Sequence, residues 1–531
     1  MDEVVTLRSD VIVAWLSWAV PGLYLLGALL ASTSRNYTWS ILAMATRGAL
    51  AIAVLAGSAL LWHRGMQGFC VQLSAPPLVS VLVTLLGWII GDYSRRYLEG
   101  EPGQSRYVIS YLATLASVSI VIWSPNFALV IAAWAASSAG VHQLLTFYPA
   151  RPAALVVAHK KFLASRLAEA CLIVAAVLLY RTWGTLQMSE LARHATAVSA
   201  LPATAQVAAS LIALAALLKC AQLPLHGWLI QVMEAPTPVS ALLHAGVVNL
   251  GGYVLIRLAP LISGSLSAQT LLVVIGGLTA VLAGLVTLTR VTIKVRLAWS
   301  TCSQMGLMML ECGLGLYSLA LLHLLAHSLY KAHAFLTAGE TVANSLRRAM
   351  MVSDALGASR VDLRRRLIAL PLAYLVIEAS ASLWHNVVAL PRVPWIASIF
   401  LACGLATLLW SATSTRRSWL PRCVALLCLA QLSLGWHWLT SDPSALTRPP
   451  SAALTAWAFT CAVGLYAALV WLAHNPSSAA VATAHRWVYA GFYLDERFTR
   501  LTFRLWPVRT RPQRSGGFTE RVLLQGASAD E

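Results

Sequence analysis

Long apolar runs separated by short polar turns repeat along almost the whole chain. A membrane span needs about 20 mostly apolar residues. Runs of that kind fall near 11–31, 42–62, 76–91, 107–123, 126–147, 162–180, 203–219, 237–257, 269–289, 297–313, 317–343, 367–390, 394–412, 422–440 and 451–473. The pattern predicts an all-α polytopic membrane protein of about 14–15 transmembrane helices. The expected bundle takes up residues 1–474. Residues 475–531 are expected to form a cytoplasmic amphipathic helix followed by a mobile tail. Residues 1–10 carry Asp2 and Glu3, without a basic stretch or a small-residue cleavage site, so the first run is expected to stay as a span.

Composition agrees with lipid as the main solvent. Hydrophobic residues make up 58% of the 531 and charged residues only 11%, against about 25% charged in soluble domains. The formal net charge of +18 would suggest nucleic acid on a soluble protein. Here the basic residues sit in short loops, where Arg and Lys mark the cytoplasmic side. Loops after odd-numbered runs hold Arg95, Arg96, Arg106, Lys160, Lys161, Arg290, Lys294, Arg347, Arg348, Arg416 and Arg417; those after even-numbered runs hold far fewer. The expectation is a multi-pass membrane protein with its N-terminus outside, its C-terminal tail on the cytoplasmic side and no nucleic-acid partner. Nine cysteines are scattered without a Cys-x-x-Cys pair, so no metal site, disulfide framework or cofactor is expected.

Ionisable groups at membrane depth are costly and are usually functional or paired. Lys219 ends the run Leu211–Leu218 and is followed by Gln222 and Pro224. Pro224 removes a backbone donor and disturbs the helix, and such a break is tolerated where water or protein satisfies the freed groups. The alternative is that Lys219 snorkels to an interface. Pro236 and Pro238 flank Thr237 in a second stretch with proline-induced irregularity, also readable as an ordinary helix start, and His244 follows with an imidazole suited to passing protons. In Leu322–Leu336, His323, His327 and Lys331 are four apart and run along one helix face with a drift of ~40° per step. Their separation of about 6 Å is short enough for one water to bridge. His333 and Glu340 share a second face. Two histidines and a lysine can hold a metal on a soluble helix, but no cysteine or paired carboxylate completes a shell, so a hydrated proton path is the better reading.

At these residues the sequence resembles the antiporter-type proton-translocating subunits of respiratory complex I and Mrp assemblies. The resemblance rests on four motifs in order: Lys160–Leu172, Lys219–Leu229 continuing through Met233–His244, Trp299–Gly306, and His327–Lys331. It covers roughly residues 75–345. It implies a helical bundle with two discontinuous helices and a central polar axis. On that resemblance Lys219 is the proton-accepting lysine before the broken helix and Lys331 the central lysine. His244, His323 and His327 are the connectors between them.

Two departures narrow the reading. The family's usual glutamate after the fifth-helix tryptophan is replaced by Ala135, behind Trp134, which leaves Glu169, Glu234 or neither to balance Lys219. Beyond residue 345 the family's later membrane lysine is absent. A helix with Glu378 and His385 stands there instead, seven apart on one face, as a different exit path or a structural pair. The stretches Glu234–Pro238, His244–Gly252 and Ser328–Phe335 resemble the membrane subunits of bacterial inorganic-carbon accumulation complexes, which implies the bacterial inner membrane with a periplasmic N-terminus. That branch implies a DabA-like zinc-binding partner with a carbonic-anhydrase-like site, energised by protons or sodium passing through this chain. The chain itself would then be a transporter subunit and not an enzyme. A cation/proton antiporter subunit of Mrp or complex I type is the alternative. The stretch Arg486–Trp506 mixes aromatics and arginines as an interfacial helix does. Trp487, Phe492, Tyr493, Asp495, Arg497 and Arg500 are its expected partner-binding residues, against the alternative of a helix resting on anionic lipid.

Overall fold

The structure is a computed structural model that describes residues 2–66, 74–148, 151–342, 363–388, 390–410, 419–440, 450–475 and 478–506. Helices make up nearly all of it, and among the described residues the one extended pairing is an isolated bridge between Asn126 and Gln187. Lipid offers no hydrogen bonds to a bare backbone, so a spanning chain must satisfy its own. Ten of the described helices, and the stretch Thr237–Arg257 taken across its break, are long and apolar enough to cross a membrane.

The first half runs α1 (Asp2–Thr33), α2 (Thr38–Met66), α3 (Ala75–Tyr97), α4 (Gln104–Trp123), α5 (Phe127–Leu145) and α6 (Pro152–Trp183). Local chemistry sets several starts. Asn126 accepts from the Ala128 amide at 2.9 Å and caps α5, and prolines open α3 and α6 where a missing N–H costs nothing. A short helix that the hydropathy pattern had left in a loop, α7 (Met188–Ala197), follows. It buries Met188, Leu191 and Ala195 while keeping Glu190 and His194 in its polar face.

The centre runs α8 (Ala203–Lys219), α9 (Gly227–Ile230), α10 (Thr237–Ala245), α11 (Leu250–Arg257), α12 (Ala259–Ser263), α13 (Leu266–Thr287), α14 (Ile293–Gly313) and α15 (Tyr317–Leu336). The 22 residues of α13 reach about 33 Å, the thickness of a bilayer's hydrocarbon core. α13 and α14 meet through glycines: a Cβ on Gly276 would stand 2.6 Å from the Gly306 carbonyl oxygen, and one on Gly306 2.7 Å from that of Gly276. Small residues bring membrane helices this close because packing, not water exclusion, holds them together.

Two helices are interrupted. α8 stops at Lys219, and residues 220–226 run without helix, with Ala221 in left-handed backbone and a cis bond before Pro224. The exposed backbone is met by protein: the Leu223 amide donates to Thr279 Oγ1 at 3.2 Å and the Ala221 carbonyl accepts from Cys302 Sγ at 3.3 Å. The expected span 237–257 is split at Gly246 into α10 and α11. Cys220 Sγ donates to the Val248 carbonyl at 3.1 Å, so the two breaks touch. Pro224 lies in the first break. Pro236 and Pro238 break nothing; they occupy the cap and second position of α10, where proline suits a helix start.

The last third holds α16 (Leu363–Val388), α17 (Trp395–Ala406), α18 (Trp419–Thr440) and α19 (Ala452–His474). α1 to α15 share one large core; the last third has one small cluster of its own and packs α17 and α19 against α13 and α14 in a second, around Val273, Leu310, Phe400 and Ala458. The chain then turns back along the bundle in α20 (Ala479–Tyr489) and α21 (Leu494–Leu505), and Phe498 of α21 enters the large core. The expected mobile stretch 507–531 lies outside the described residues.

Candidate functional site

The break after α8 leaves Lys219 at a helix end, 8% exposed. α5 presents Trp134 and Ser138 one turn apart, and α6 presents Glu169. The amine donates to Ser138 Oγ at 3.0 Å, Glu169 Oε1 at 3.2 Å and the Trp134 carbonyl at 3.3 Å. It also lies 4.8 Å from the centre of the Trp134 ring, a favourable cation–π distance. These partners hold it inside the bundle and leave no reach for snorkelling. Glu169 supplies the carboxylate that Ala135 lacks, and its second oxygen meets Arg166 Nη2 at 2.7 Å. The Glu234 side chain lies outside the described residues. Lys161, a residue on the motif but not singled out by the pattern, is buried beside the pair and donates to the Ser138 carbonyl at 3.2 Å.

A second cluster forms where α10, α14 and α15 pack together. Lys331 is fully buried and donates to Ser300 Oγ at 2.8 Å and the Leu297 carbonyl at 3.1 Å, both on α14. Among the described residues no carboxylate lies within ion-pair reach of it. His327 follows one turn away, its ring 6.1 Å from that of His323. His323 Nδ1 meets Glu311 Oε2 at 3.0 Å. Glu311 had no motif to mark it; its one sequence signal is a lone acid in the apolar run Met308–Cys312. His244 stacks on Phe335 of α15, ring centres 4.6 Å apart. Both ring nitrogens of His244 and of His327 are buried and, among the described residues, have no hydrogen-bond partner. Both imidazoles lie within electrostatic range of Lys331. Asn249 Nδ2 donates to Ser328 Oγ at 2.7 Å and ties the second break to the same face of α15.

Other expected residues fall elsewhere. His333 is exposed, because two residues past Lys331 a helix has turned about 200°. Glu340 lies beyond the end of α15 and is also exposed. Neither joins the buried row. Glu378 is half-buried and hydrogen-bonds Tyr374, while His385 Nδ1 donates to the Leu390 carbonyl at 2.8 Å. Each has its own neighbour, and no bond joins the two among the described residues. The C-terminal segment divides in two. Trp487, Tyr493, Arg497 and Arg500 face outward, Arg500 beside Glu496 at 3.6 Å. Phe492 packs on the large core and Asp495 meets Lys160 at 2.9 Å, so these two side chains are engaged within the chain. No three His, Cys, Asp or Glu side chains converge as a metal site among the described residues.

An all-helical, multi-pass bundle with interrupted helices and a buried row of lysines and histidines defines an antiporter-like membrane subunit. The family described as NADH:quinone oxidoreductase/Mrp antiporter, TM, matches residues 124–357. A chain in the archaeal membrane-bound sulfane sulfur reductase complex shares the fold, with a TM-score of 0.55 at 18% identity over 92% of this chain and 99% of that one. The nearer likeness is to proteins described as probable inorganic carbon transporter subunits. DabB of Hydrogenovibrio crunogenus is 38% identical over 92% of this chain and 94% of its own length. DabB2 of Halothiobacillus neapolitanus is 38% identical over 83% of this chain and 82% of its own. The chain belongs to the DabB family.

Proposed function

We propose that this chain conducts a cation, with the proton as first choice, across the bacterial inner membrane to energise inorganic-carbon accumulation by a partner. The observation that carries the proposal is two buried clusters, Glu169–Lys219 at the first helix break and His244, Lys331, His327 and His323–Glu311 around the second, with the two breaks in contact through Cys220 and Val248. Buried polar atoms in native proteins nearly always have a partner, protein or water. Four imidazole nitrogens without protein partners therefore support a wetted row, in which protons pass between neutral imidazoles and amines.

In this reading Lys219 accepts the ion from one side, His244 and Lys331 relay it, and the His323–Glu311 end releases it. The hydration of CO2 belongs to a DabA-like zinc protein with a carbonic-anhydrase-like site. The basic loops put the N-terminus on the periplasmic side and the tail inside. Residues 1–474 then form the conducting bundle. The outward side chains of α20 and α21 meet the partner or lipid.

The test is carbon uptake by cells that carry Lys219→Ala or Lys331→Ala. Labelled bicarbonate accumulation is expected to fall at least about tenfold, since a truncated relay residue acting alone costs that much in rate for every 1.4 kcal/mol added to the barrier. Co-purification with the partner is expected to be unchanged. Uptake at the full rate in either variant would remove that lysine from the path. The carboxylate that Glu169 gives Lys219 also favours a second reading, an antiporter subunit of Mrp or complex I type. A zinc protein co-purifying with the native chain supports the first reading, and redox or Mrp subunits in its place support the second.

A further inference from the structure

Lys160 is fully buried, and its acid comes from the far end of the chain. Its amine donates to Asp495 Oδ2 at 2.9 Å, Asp495 Oδ1 at 3.0 Å and Gln231 Oε1 at 3.1 Å. Gln231 Nε2 donates to Asp495 Oδ2 at 2.9 Å, and Thr499 Oγ1 approaches the same oxygen at 3.4 Å. The carboxylate rests directly on Gly227, where any Cβ would stand 1.5 Å from Oδ1. Glycine is required there to let it in. The next residue back, His226, is fully buried at the edge of the first break and lies within electrostatic range of Asp495. Its Nε2 has no hydrogen-bond partner among the described residues. The segment is pinned on both sides: Arg290 Nη2 donates to the Tyr489 carbonyl at 3.0 Å, and Trp506 stacks on His159 with ring centres 3.9 Å apart.

A mere strap would need the ion pair and nothing more. This cluster has three further properties. The Asp495 side chain is 24% exposed, so one side of the carboxylate faces out while the other faces a fully buried amine. Gln231 gives Lys160 a second acceptor, so neutralising Asp495 would not strand the ammonium. The adjacent residue on α6, Lys161, donates to the Ser138 carbonyl, whose hydroxyl holds Lys219. One turn of α6 thus joins the half-open carboxylate to the buried Lys219–Glu169 pair.

We propose that Asp495, folded back onto the break by the C-terminal segment, is the carboxylate that exchanges protons with the aqueous face at the Lys219 end of the path, taking them up when the gradient runs inward from that face and giving them off when it runs the other way. This rests on the conducting role proposed above. In the loading step a hydronium ion gives its proton to an Asp495 oxygen and leaves as water. The new O–H then gives the proton through water to the Nε2 lone pair of His226. The carboxylate is restored and the imidazole leaves the step as a cation at the edge of the break.

The experiment uses the full-length chain with the subunits that co-purify, reconstituted in phospholipid vesicles. Proton entry after an acid pulse is followed with an internal pH dye. Asp495→Asn is expected to slow the initial rate at least tenfold. The double variant Lys160→Met/Asp495→Asn removes both charges, and with them any buried unpaired amine; it is expected to assemble and remain slow. Wild-type rates in the double variant would make Asp495 a latch and overturn the proposal, as would wild-type rates in a folded Asp495→Asn. Lys219→Ala is run alongside. Its loss together with a fast Asp495→Asn sinks this inference alone, whereas a fast Lys219→Ala sinks the conducting role itself.

Discussion

The two buried lysines of the row sit in opposite electrostatic settings. Lys219 faces a carboxylate, a hydroxyl and an aromatic ring. Lys331 faces a hydroxyl and a backbone carbonyl, both neutral, and two imidazoles lie nearby. A paired buried charge is costly to break but gives its site a fixed register; an ammonium among neutral acceptors has no counterion to lose. The contrast suggests a division of work. The Lys219 end holds its charge in a defined place, and the Lys331 end can give its charge up to a neighbour without leaving an orphaned carboxylate.

The sharpest way to break the comparison is Glu169→Gln, which gives Lys219 the neutral company that Lys331 already has. Removing one partner of a buried ion pair costs about 3–5 kcal/mol, so a large fall in thermal stability in detergent is expected, with loss of bicarbonate accumulation. Adding Lys219→Met should restore most of the stability and none of the transport. Lys331→Met comes next: transport should be lost, but the melting temperature should hold or rise, because a charge at membrane depth costs about 2.5–3.5 kcal/mol. A fall in melting temperature as large as that of Glu169→Gln would erase the distinction between the two ends. Ser138→Ala removes the hydroxyl that accepts from Lys219 and donates to the Trp134 carbonyl; the bond to the charged group is worth about 1.5–3 kcal/mol, and stability should fall by a smaller, measurable amount. His333→Ala should leave stability within about 0.5 kcal/mol and uptake unchanged, since its side chain is exposed; a transport defect there would extend the row to the outer face of α15.

Much of this was legible before any coordinates. The fifteen apolar runs each correspond to a helix or, at 237–257, to a helix pair, because a bilayer demands length and hydropathy together. The spacing of His323, His327 and Lys331 placed them on one face, but spacing cannot say which face looks inward. His333 and Glu340, also correctly spaced, therefore ended outside. The pairings were the hidden part. Glu169 meets Lys219 across 50 positions, and Asp495 meets Lys160 across 335. Such contacts are set by packing of whole helices, which local pattern does not encode. α7 escaped because ten amphipathic residues are too short to register as a span. Glu311 escaped because one acid in an apolar run carries no periodicity.

α14 touches the second buried cluster at two stations. Ser300 and Leu297 near its start receive the Lys331 amine, and Glu311 near its finish receives His323. Those stations lie about 16 Å apart along one straight rod, clamped midway at Gly306 against α13. A methyl group wedged in at Gly306 would therefore detune both stations at once, and a natural variant that adjusts one must carry the other with it.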